Sequence, residues 1–295
     1  MNFKEEMKQR VQEIEEILKR FLPEETGFQK TVPEAMNYSV NAGGKRLRPM
    51  LMQETYRMFG GSGREIEPFM AAIEMIHTSS LIHDDLPAMD GDEYRRGQLT
   101  TWMAYGEDMA ILAGDGLMIF AFETAVKAAE MTEHPERVLR AIRILANKTG
   151  IYGMIGGQTV DVELTDRPIP EEQLDFIYRL KTGALLEASM MIGAVLAGAG
   201  EEEVKAVERI AGLVGFAFQI QDDILDMTST TEVLGKPALS DEKNHKTTYV
   251  TLHGLEQAGK DVREMSEQAI RELEGLPCRN EYLNQLIEML ITREK

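Results

Sequence analysis

Apolar residues recur at every third or fourth position along most of this chain, which is the spacing of one face of an α-helix. The N-terminal segment is an example, with Phe3, Met7, Val11, Ile14 and Leu18 separated by polar residues. No segment alternates apolar and polar residues clearly enough to predict a β-strand. The pattern therefore predicts an all-α protein.

Helices are predicted wherever this pattern continues between short breaks rich in Gly, Pro or small polar residues. They cover Phe3–Phe21, Thr31–Val40, Pro49–Phe59, Ile66–His83, Asp108–Met131, Pro135–Thr149, Glu171–Gly198, Glu202–Met227, Thr247–Leu273 and Arg279–Thr292. The breaks are too short to be linkers between domains, and no tandem repeat is visible. We therefore expect a single domain over residues 1–295, a bundle of long helices around a common core.

The charge of the chain restricts the classes of partner. It has 50 acidic and 32 basic residues, a formal net charge of −18. Such a protein offers no basic stripe for nucleic acid and has no attraction to anionic lipid. An anionic substrate would need a local basic patch or bound cations.

The expected compartment is the cytoplasm. Cys278 is the single cysteine, so no internal disulfide can form. The charged N-terminal segment lacks the apolar core of a signal peptide. The longest charge-free apolar run, Ala188–Gly200, is too short to span a bilayer, so we expect no membrane span.

A dense group of carboxylates follows a predicted helix in the segment LIHDDLPAMDGDEYRRG. Its acidic residues are Asp84, Asp85, Asp90, Asp92 and Glu93. On a continuous helix, Asp84 and Asp90 would point about 120° apart. Because Pro87 lies between them, we expect the helix to end near Asp85 and the later aspartate to fold back from a turn.

A second group, FQIQDDILDM, contains Asp222, Asp223 and Asp226 at the end of another apolar helix. The spacing of four places Asp222 and Asp226 on one helix face. One such group alone is equally well explained as a solvated acidic helix end. Two groups suit a hard cation, most plausibly Mg²⁺, which often bridges carboxylates to substrate phosphates. They predict a diphosphate held between two carboxylate clusters.

The segment NAGGKRLRPM is the most basic part of this acidic chain. Two glycines permit close backbone approach, and Lys45, Arg46 and Arg48 follow directly. A solvated basic turn is the alternative, but we favour a phosphate-binding site. Further candidate cations are Arg95, Arg96, Lys181, Lys236 and Lys246.

These motifs together resemble one family. GGKRLRP, LIHDDLPAMD…RRG, GGQTVD, KTG, FQIQDDILD and GK…SDEKNHKTTY occur here in the order found in trans-polyprenyl diphosphate synthases. The resemblance covers about Gly43 to Tyr249 and looks closest to bacterial farnesyl and geranylgeranyl diphosphate synthases. It implies the isoprenoid synthase fold, in which the bundle surrounds a central substrate cavity, and a homodimer.

The resemblance implies that the protein condenses isopentenyl diphosphate with an allylic diphosphate (dimethylallyl, geranyl or farnesyl). The allylic substrate would lose its diphosphate to leave a cation, which the double bond of isopentenyl diphosphate attacks before a proton is lost. The expected products are farnesyl and geranylgeranyl diphosphate.

The family pattern also assigns roles to individual residues. Asp84, Asp85 and Asp90 would hold two Mg²⁺ ions, and Asp222 with Asp226 a third. Arg95, Lys181 and Lys236 would bind the allylic diphosphate, with Lys246 as a further substrate-binding cation. Lys45, Arg48, His77 and Arg96 would bind isopentenyl diphosphate. Gln158, Thr182 and Gln219 would lie near the reacting carbons, with Phe218 beside the homoallylic substrate. Without the resemblance, His77 would more simply be a core residue.

Product length depends on the residues one turn before Asp84, which are Ser79 and Ser80. Related farnesyl synthases usually have an aromatic residue at the position of Ser79, which closes the pocket. We therefore expect a pocket that admits a fifteen-carbon substrate, unless Met118 or Phe120 closes it instead.

Three positions depart from the family pattern, namely Gly91, Leu99 and Trp102. None is a predicted metal ligand, so we expect an active enzyme. A class I terpene cyclase is one alternative, but it would not need the second diphosphate site of GGKRLRP. A non-catalytic subunit of a heteromeric synthase is another, although such partners tend to lose an aspartate motif.

Overall fold

The structure is a computed structural model that describes residues 2–228 and 247–292, and its regular structure is almost entirely helical. The helices are α1 Phe3–Phe21, α2 Thr31–Asn41, α3 Leu47–Met58, α4 Glu67–Asp84, α5 Thr101–Tyr105, α6 Glu107–Val126, α7 Pro135–Thr149, α8 Met154–Glu163, α9 Glu171–Ile177, α10 Ala184–Ala197, α11 Glu201–Thr228, α12 Tyr249–His253, α13 Leu255–Glu274 and α14 Glu281–Thr292. A two-stranded antiparallel hairpin, β1 Tyr94–Arg95 and β2 Gln98–Leu99, lies between α4 and α5. The predicted all-α fold is confirmed.

Two apolar helices form the centre of the bundle. α4 packs mainly on α6, and α10 packs on α3, α7 and α11. Most residues of α4 and α10 are buried, because both helices are apolar on nearly all sides. The amphipathic helices α1, α7 and α13 bury one face and expose the other. One hydrophobic cluster connects residues of helices from α1 to α14. The expectation of a single domain stays a prediction.

Local sequence signals account for several helix ends. Asn2 caps α1 by accepting from the backbone of Glu5, whose carboxylate accepts from Asn2 in return. Proline occupies the first turn of α4 and of α7. α10 ends at Gly198, which has a left-handed backbone conformation (φ 90°).

Two irregularities break helices that periodicity predicts as continuous, and one further helix forms where none is predicted. Residues Tyr178–Gly183 form a π-helical turn between α9 and α10. Gly254, with φ of 82°, separates α12 from α13. The segment around GGQTVD forms the additional helix α8. The first of these irregularities shapes the candidate site.

Two helices of the described chain, Glu107–Glu130 and Glu171–Ala197, are long and apolar enough to cross a membrane by length and composition alone. The sequence predicts none, because its apolar runs without charged residues are short. The finding is weak evidence for a membrane span, since buried core helices of soluble proteins have the same properties. The second of the two is mostly buried in the bundle.

Candidate active site

Three cavities adjoin one another, and the middle one lies along the C-terminal part of α4. The basic cavity, of about 530 Å³, is lined by Lys45, Arg46, Arg48, Glu74, His77 and Arg96, among others. The apolar cavity, of about 710 Å³, is lined by Ser80, Asp84, Met89, Met118, Met154, Gln158, Lys181, Thr182 and Leu185, and it also touches Arg48 and His77. The aspartate cavity, of about 260 Å³, is lined by Asp161, Tyr178, Lys181, Thr182, Gln219, Asp222 and Asp223. Lys181 and Thr182 line both the apolar and the aspartate cavity.

The first aspartate motif turns back on itself after α4. The helix ends at Asp84, as the sequence analysis predicts, and the backbone N–H of Asp90 donates to the Asp84 carbonyl at 2.9 Å. Gly91 adopts a left-handed conformation (φ 69°), and its N–H donates to the Leu86 carbonyl. This turn returns Asp90 to the end of the helix.

The two adjacent aspartates of this motif have different partners. Gln158 of α8 donates to Asp84 Oδ1 at 2.6 Å, and burial raises the pKa of Asp84 above its ordinary value. Asp85 accepts from Arg95 Nε and Nη2 at 2.8 Å and 2.6 Å. Asp85 and Arg95, predicted to bind a metal ion and a diphosphate respectively, therefore bind each other here.

The basic cavity brings together the four residues predicted to hold isopentenyl diphosphate. The Nε of Arg48 is buried and has no hydrogen-bond partner among the described residues. A buried donor in this condition favours an anionic ligand. Burial lowers the pKa of His77 well below its ordinary value, and the charge of Arg48 lowers it further. The imidazole is therefore neutral at pH 7 and can act as a hydrogen-bonding group.

Arg46 lines this cavity, but its side chain is bound within the scaffold. Its side chain is buried and donates to Glu15 and Glu74 at 2.7 Å and 2.8 Å and to the Val40 carbonyl at 2.6 Å. Burial alone would lower the pKa of Arg46, but the attraction of Glu74 and both hydrogen bonds raise it overall. Arg46 thus fixes the turn from which its neighbours enter the cavity.

The π-helical turn presents Lys181 and Thr182. Lys181 Nζ donates to Asp161 Oδ2 at 2.5 Å, and Thr182 donates to Gln219 Oε1 of α11 at 2.9 Å. α8 approaches this turn closely at Gly157, where an added Cβ would lie 2.3 Å from the Lys181 backbone nitrogen. Burial would lower the pKa of Lys181, but the nearby carboxylates of Asp161 and Asp84 raise it overall. Lys181 is therefore a cation at neutral pH.

The remaining predicted site residues differ in whether they line a cavity. Ser80 lines the apolar cavity, whereas Ser79 is fully buried behind it and its hydroxyl donates to the Ile76 carbonyl at 2.8 Å. Asp226 is buried and Phe218 packs against the core, and neither lines these three cavities. Lys236 and Lys246 lie outside the described residues.

The positions that depart from the family pattern stabilise the segment after Asp90. Trp102 Nε1 donates to the Asp92 carbonyl at 2.8 Å, and the Leu99 carbonyl accepts from the Tyr38 hydroxyl at 2.7 Å. Gly91 suits its left-handed turn, since glycine adopts that conformation without strain. The three departures are thus compatible with an intact first motif.

Asp161, Tyr178 and Asp223 all line the aspartate cavity, although the sequence predicts no individual role for any of them. A signal was available for Asp161, because it follows Gln158 by three residues and so shares its helix face. For Tyr178, the contact depends on the π-helical turn, which no pattern in the sequence indicated.

The residues present fit Mg²⁺ held jointly with a substrate. Among the described residues, no three His, Cys, Asp or Glu side chains are close enough to form a complete metal site by themselves. Mg²⁺ does not need such a cage, because it keeps several waters and binds one or two carboxylates together with phosphate oxygens. Asp84 and Asp222 on the cavity walls, with Asp90 next to Asp84, provide the hard oxygen ligands.

Comparison with known proteins agrees with this geometry. The family model described as "Polyprenyl synthetase" matches residues 29–287. The chain belongs to the polyprenyl synthetase family. It is 40% identical over 283 residues to the farnesyl diphosphate synthase of Geobacillus stearothermophilus, covering 96% of this chain and 95% of the relative. It is also 45% identical over 249 residues to a chloroplastic geranylgeranyl pyrophosphate synthase of Capsicum annuum, covering 84% and 67%.

Solved structures of other polyprenyl synthetases share the fold. An FPP/GFPP synthase of Zymomonas mobilis superposes with a TM-score of 0.87 at 32% identity and covers 99% of both chains. A geranyltransferase of Helicobacter pylori, solved with magnesium and isoprenyl diphosphate, gives a TM-score of 0.84 at 31% identity, covering 99% of this chain and 97% of that one. The family is Mg-dependent in general.

The role of Arg46 as scaffold can be tested by substitution. Arg46→Met would leave the buried Glu74 carboxylate without its ionic partner, and we expect it to lower the free energy of unfolding by about 3–5 kcal/mol. Arg64→Met removes an exposed ion pair with Glu67 and is the matched control, for which little change is expected. Urea denaturation measures both. Equal losses in the two variants would contradict the assignment.

Proposed function

We propose that the protein is a short-chain trans-prenyltransferase that condenses isopentenyl diphosphate with allylic diphosphates. One observation carries the proposal, namely that two separate anion-binding regions open onto the same apolar cavity. The first is the basic cavity with Arg48 and His77, and the second is the edge where Lys181 faces Asp84. Condensation of two diphosphates needs this arrangement, because both hydrocarbon ends must meet away from water.

The residues divide the work of the reaction. Lys45, Arg48 and Arg96 hold isopentenyl diphosphate, and the neutral His77 orients it. Lys181 donates to the allylic diphosphate as that group leaves, and charge stabilisation of this kind is often the largest catalytic contribution. Asp84, Asp90 and Asp222 would hold Mg²⁺, which would supply further neutralisation of the leaving group. The apolar side chains of the cavity keep water from the allylic cation.

The metal ligands follow from the placement of the carboxylates. We assign them to Asp84, Asp90 and Asp222, because Arg95 already binds Asp85, and Asp226 is buried and does not line the three cavities. Three ions is the number that the family resemblance implies. The comparisons do not support a terpene cyclase or a non-catalytic subunit, since the relatives reported above are prenyltransferases.

Activity tests the proposal directly. Purified protein should consume isopentenyl diphosphate with five-, ten- or fifteen-carbon allylic primers, and a chelator should abolish this. Lys181→Ala and Asp84→Asn should each lower kcat by about 10²-fold or more, because each removes charge stabilisation of the leaving group. Asp108→Asn, an exposed carboxylate at the start of α6, is the control and should leave kcat unchanged. Failure to react with every primer would contradict the proposal.

We propose geranylgeranyl diphosphate as a product, because small or flexible side chains line the apolar cavity beside α4. Ser80 provides little bulk at this wall, and Met118 of α6 lies on the same cavity.

Product length is testable by changing this wall. Ser80→Phe should shorten the product because the ring would fill the cavity, and Met118→Ala should permit a longer one. Ser79→Tyr, the change suggested by the family pattern, would not fill this cavity directly, because Ser79 is fully buried and does not line it. Chromatography of dephosphorylated products measures chain length. An unchanged distribution in folded Ser80→Phe and Met118→Ala would show that another surface limits growth.

A homodimer is proposed from the outer face of α6. Leu112, Ile119 and Val126 are exposed there and repeat every seven residues, and Ile119 is 70% exposed. An apolar stripe with this repeat is typical of a helix that packs against another helix. A second copy of the chain is the partner that the family resemblance implies.

The proposed interface predicts that a charged substitution on it will halve the mass of the protein in solution. Ile119→Arg places a charge at the centre of the stripe and should convert the dimer to a monomer at micromolar concentration. Leu255→Arg, a similarly exposed apolar residue on α13, is the control and should leave the dimer intact. Light scattering after gel filtration measures both. A dimeric Ile119→Arg variant, or a monomeric wild type, would contradict the proposal.

A further inference from the structure

The second of the two adjacent aspartates in FQIQDDILDM makes contacts that the proposed reaction does not use. Asp223 of α11 is buried, with 5% of its surface exposed. Its Oδ2 accepts from the Tyr178 hydroxyl at 2.5 Å and from the backbone N–H of Tyr249 at 2.9 Å. Two donors on one carboxylate oxygen satisfy a charge that would be costly to bury alone.

These donors connect separate parts of the fold. Tyr178 is the first residue of the π-helical turn, and Tyr249 is the first residue of α12. The Phe216 ring packs between both tyrosines, with ring centroids 5.9 Å and 6.0 Å away. The Tyr249 hydroxyl donates in turn to Asp261 of α13 at 2.9 Å. Asp223 is thus the point at which α11, the π-helical turn, α12 and α13 are joined.

The same contacts determine how the reacting groups face each other. Lys181 follows Tyr178 by three residues in the π-helical turn, and Asp222 precedes Asp223 in α11. Lys181 and Asp222 line the aspartate cavity from these two elements. A bond between Tyr178 and Asp223 therefore fixes the π-helical turn relative to α11.

On the basis of the proposed function, we propose that Asp223 is a positioning residue and not a metal ligand. It holds the π-helical turn against α11, so that Lys181 meets the diphosphate opposite Asp222. Misplacement of such a group by about 1 Å is enough to cost on the order of 100-fold in rate. The first motif has the same division, since Asp85 is bound by Arg95 while Asp84 faces the cavity.

Substitution of Asp223 separates the two roles. Asparagine can place an amide oxygen where Oδ2 now accepts both hydrogen bonds, but it is a poor Mg²⁺ ligand. Asp223→Asn should therefore keep kcat within about 5-fold of wild type, whereas Asp223→Ala should lower it by about 10- to 100-fold. Tyr178→Phe removes the bond that holds the π-helical turn and should lower kcat about as much as Asp223→Ala does. Asp222→Asn, a change to a proposed ligand, should raise the Mg²⁺ concentration for half-maximal rate.

Hydrogen exchange tests the contact without relying on activity. The Tyr249 amide donates to Asp223, so peptides that contain it should exchange faster in Asp223→Ala than in wild type or Asp223→Asn. Faster exchange in Asp223→Ala would support the proposal if the Mg²⁺ concentration for half-maximal rate is also unchanged from wild type in all Asp223 and Tyr178 variants. A raised Mg²⁺ requirement in Asp223→Asn, equal to that of Asp222→Asn, would overturn it. Wild-type protein without prenyltransferase activity would contradict the proposed function. Unchanged exchange in Asp223→Ala would instead contradict the contact between Asp223 and the Tyr249 amide.

Discussion

Charged groups have to remain charged at the edge of an apolar cavity, and the rest of the structure depends on this constraint. Burial disfavours the charged form, as the raised pKa of Asp84 and the lowered pKa of Arg48 show. The protein compensates by placing counter-charges around the site, such as Asp161 beside Lys181. The buried pair of Arg46 and Glu74 then supports the basic cavity. The helices bring these partners together from distant parts of the sequence.

Neighbouring residues of the same type have different tasks in each motif. In the basic segment, Arg46 is bound within the scaffold, whereas Arg48 faces the cavity with an Nε that has no hydrogen-bond partner in the part of the chain that the structure describes. In the first aspartate motif, Asp85 holds the hairpin residue Arg95 while Asp84 faces the cavity. Asp84 and Asp85 are adjacent at the end of α4, where successive side chains point about 100° apart, so one of them can reach a ligand while the other fixes the backbone. Arg46 precedes α3 in a left-handed conformation (φ 49°), whereas Arg48 lies within that helix. Sequence motifs of repeated charges therefore combine binding with support.

Much of the fold and part of the site could be predicted from the sequence. Periodicity predicts α1 and α7 with their observed ends, because both are amphipathic and have clear start signals. The end of α4 and the return of Asp90 follow from Pro87. The grouping of Arg48 and His77 came from the family resemblance.

The remaining features depend on geometry that no pattern in the sequence expresses. A π-helical turn keeps the helical alternation of apolar residues, so Glu171–Gly198 is indistinguishable from one regular helix. The pairing of Asp85 with Arg95 depends on the hairpin, whose strands are two residues long and leave no periodic signal. Similarly, whether Ser79 or its neighbour lines the cavity depends on the rotation of α4 against α6.

The π-helical turn also limits how the length of this segment can vary. Such a turn accommodates one more residue than a regular α-helical turn does. Deleting a single residue from Tyr178–Gly183 would restore a regular helix and leave α10 in nearly its present orientation relative to α9, because the wide turn absorbs the extra residue. The buried face of α10 could then still pack on α3, α7 and α11. Such a deletion would instead change the directions in which Lys181 and Thr182 point, so the number of residues in this segment matters to the site more than to the packing of the bundle.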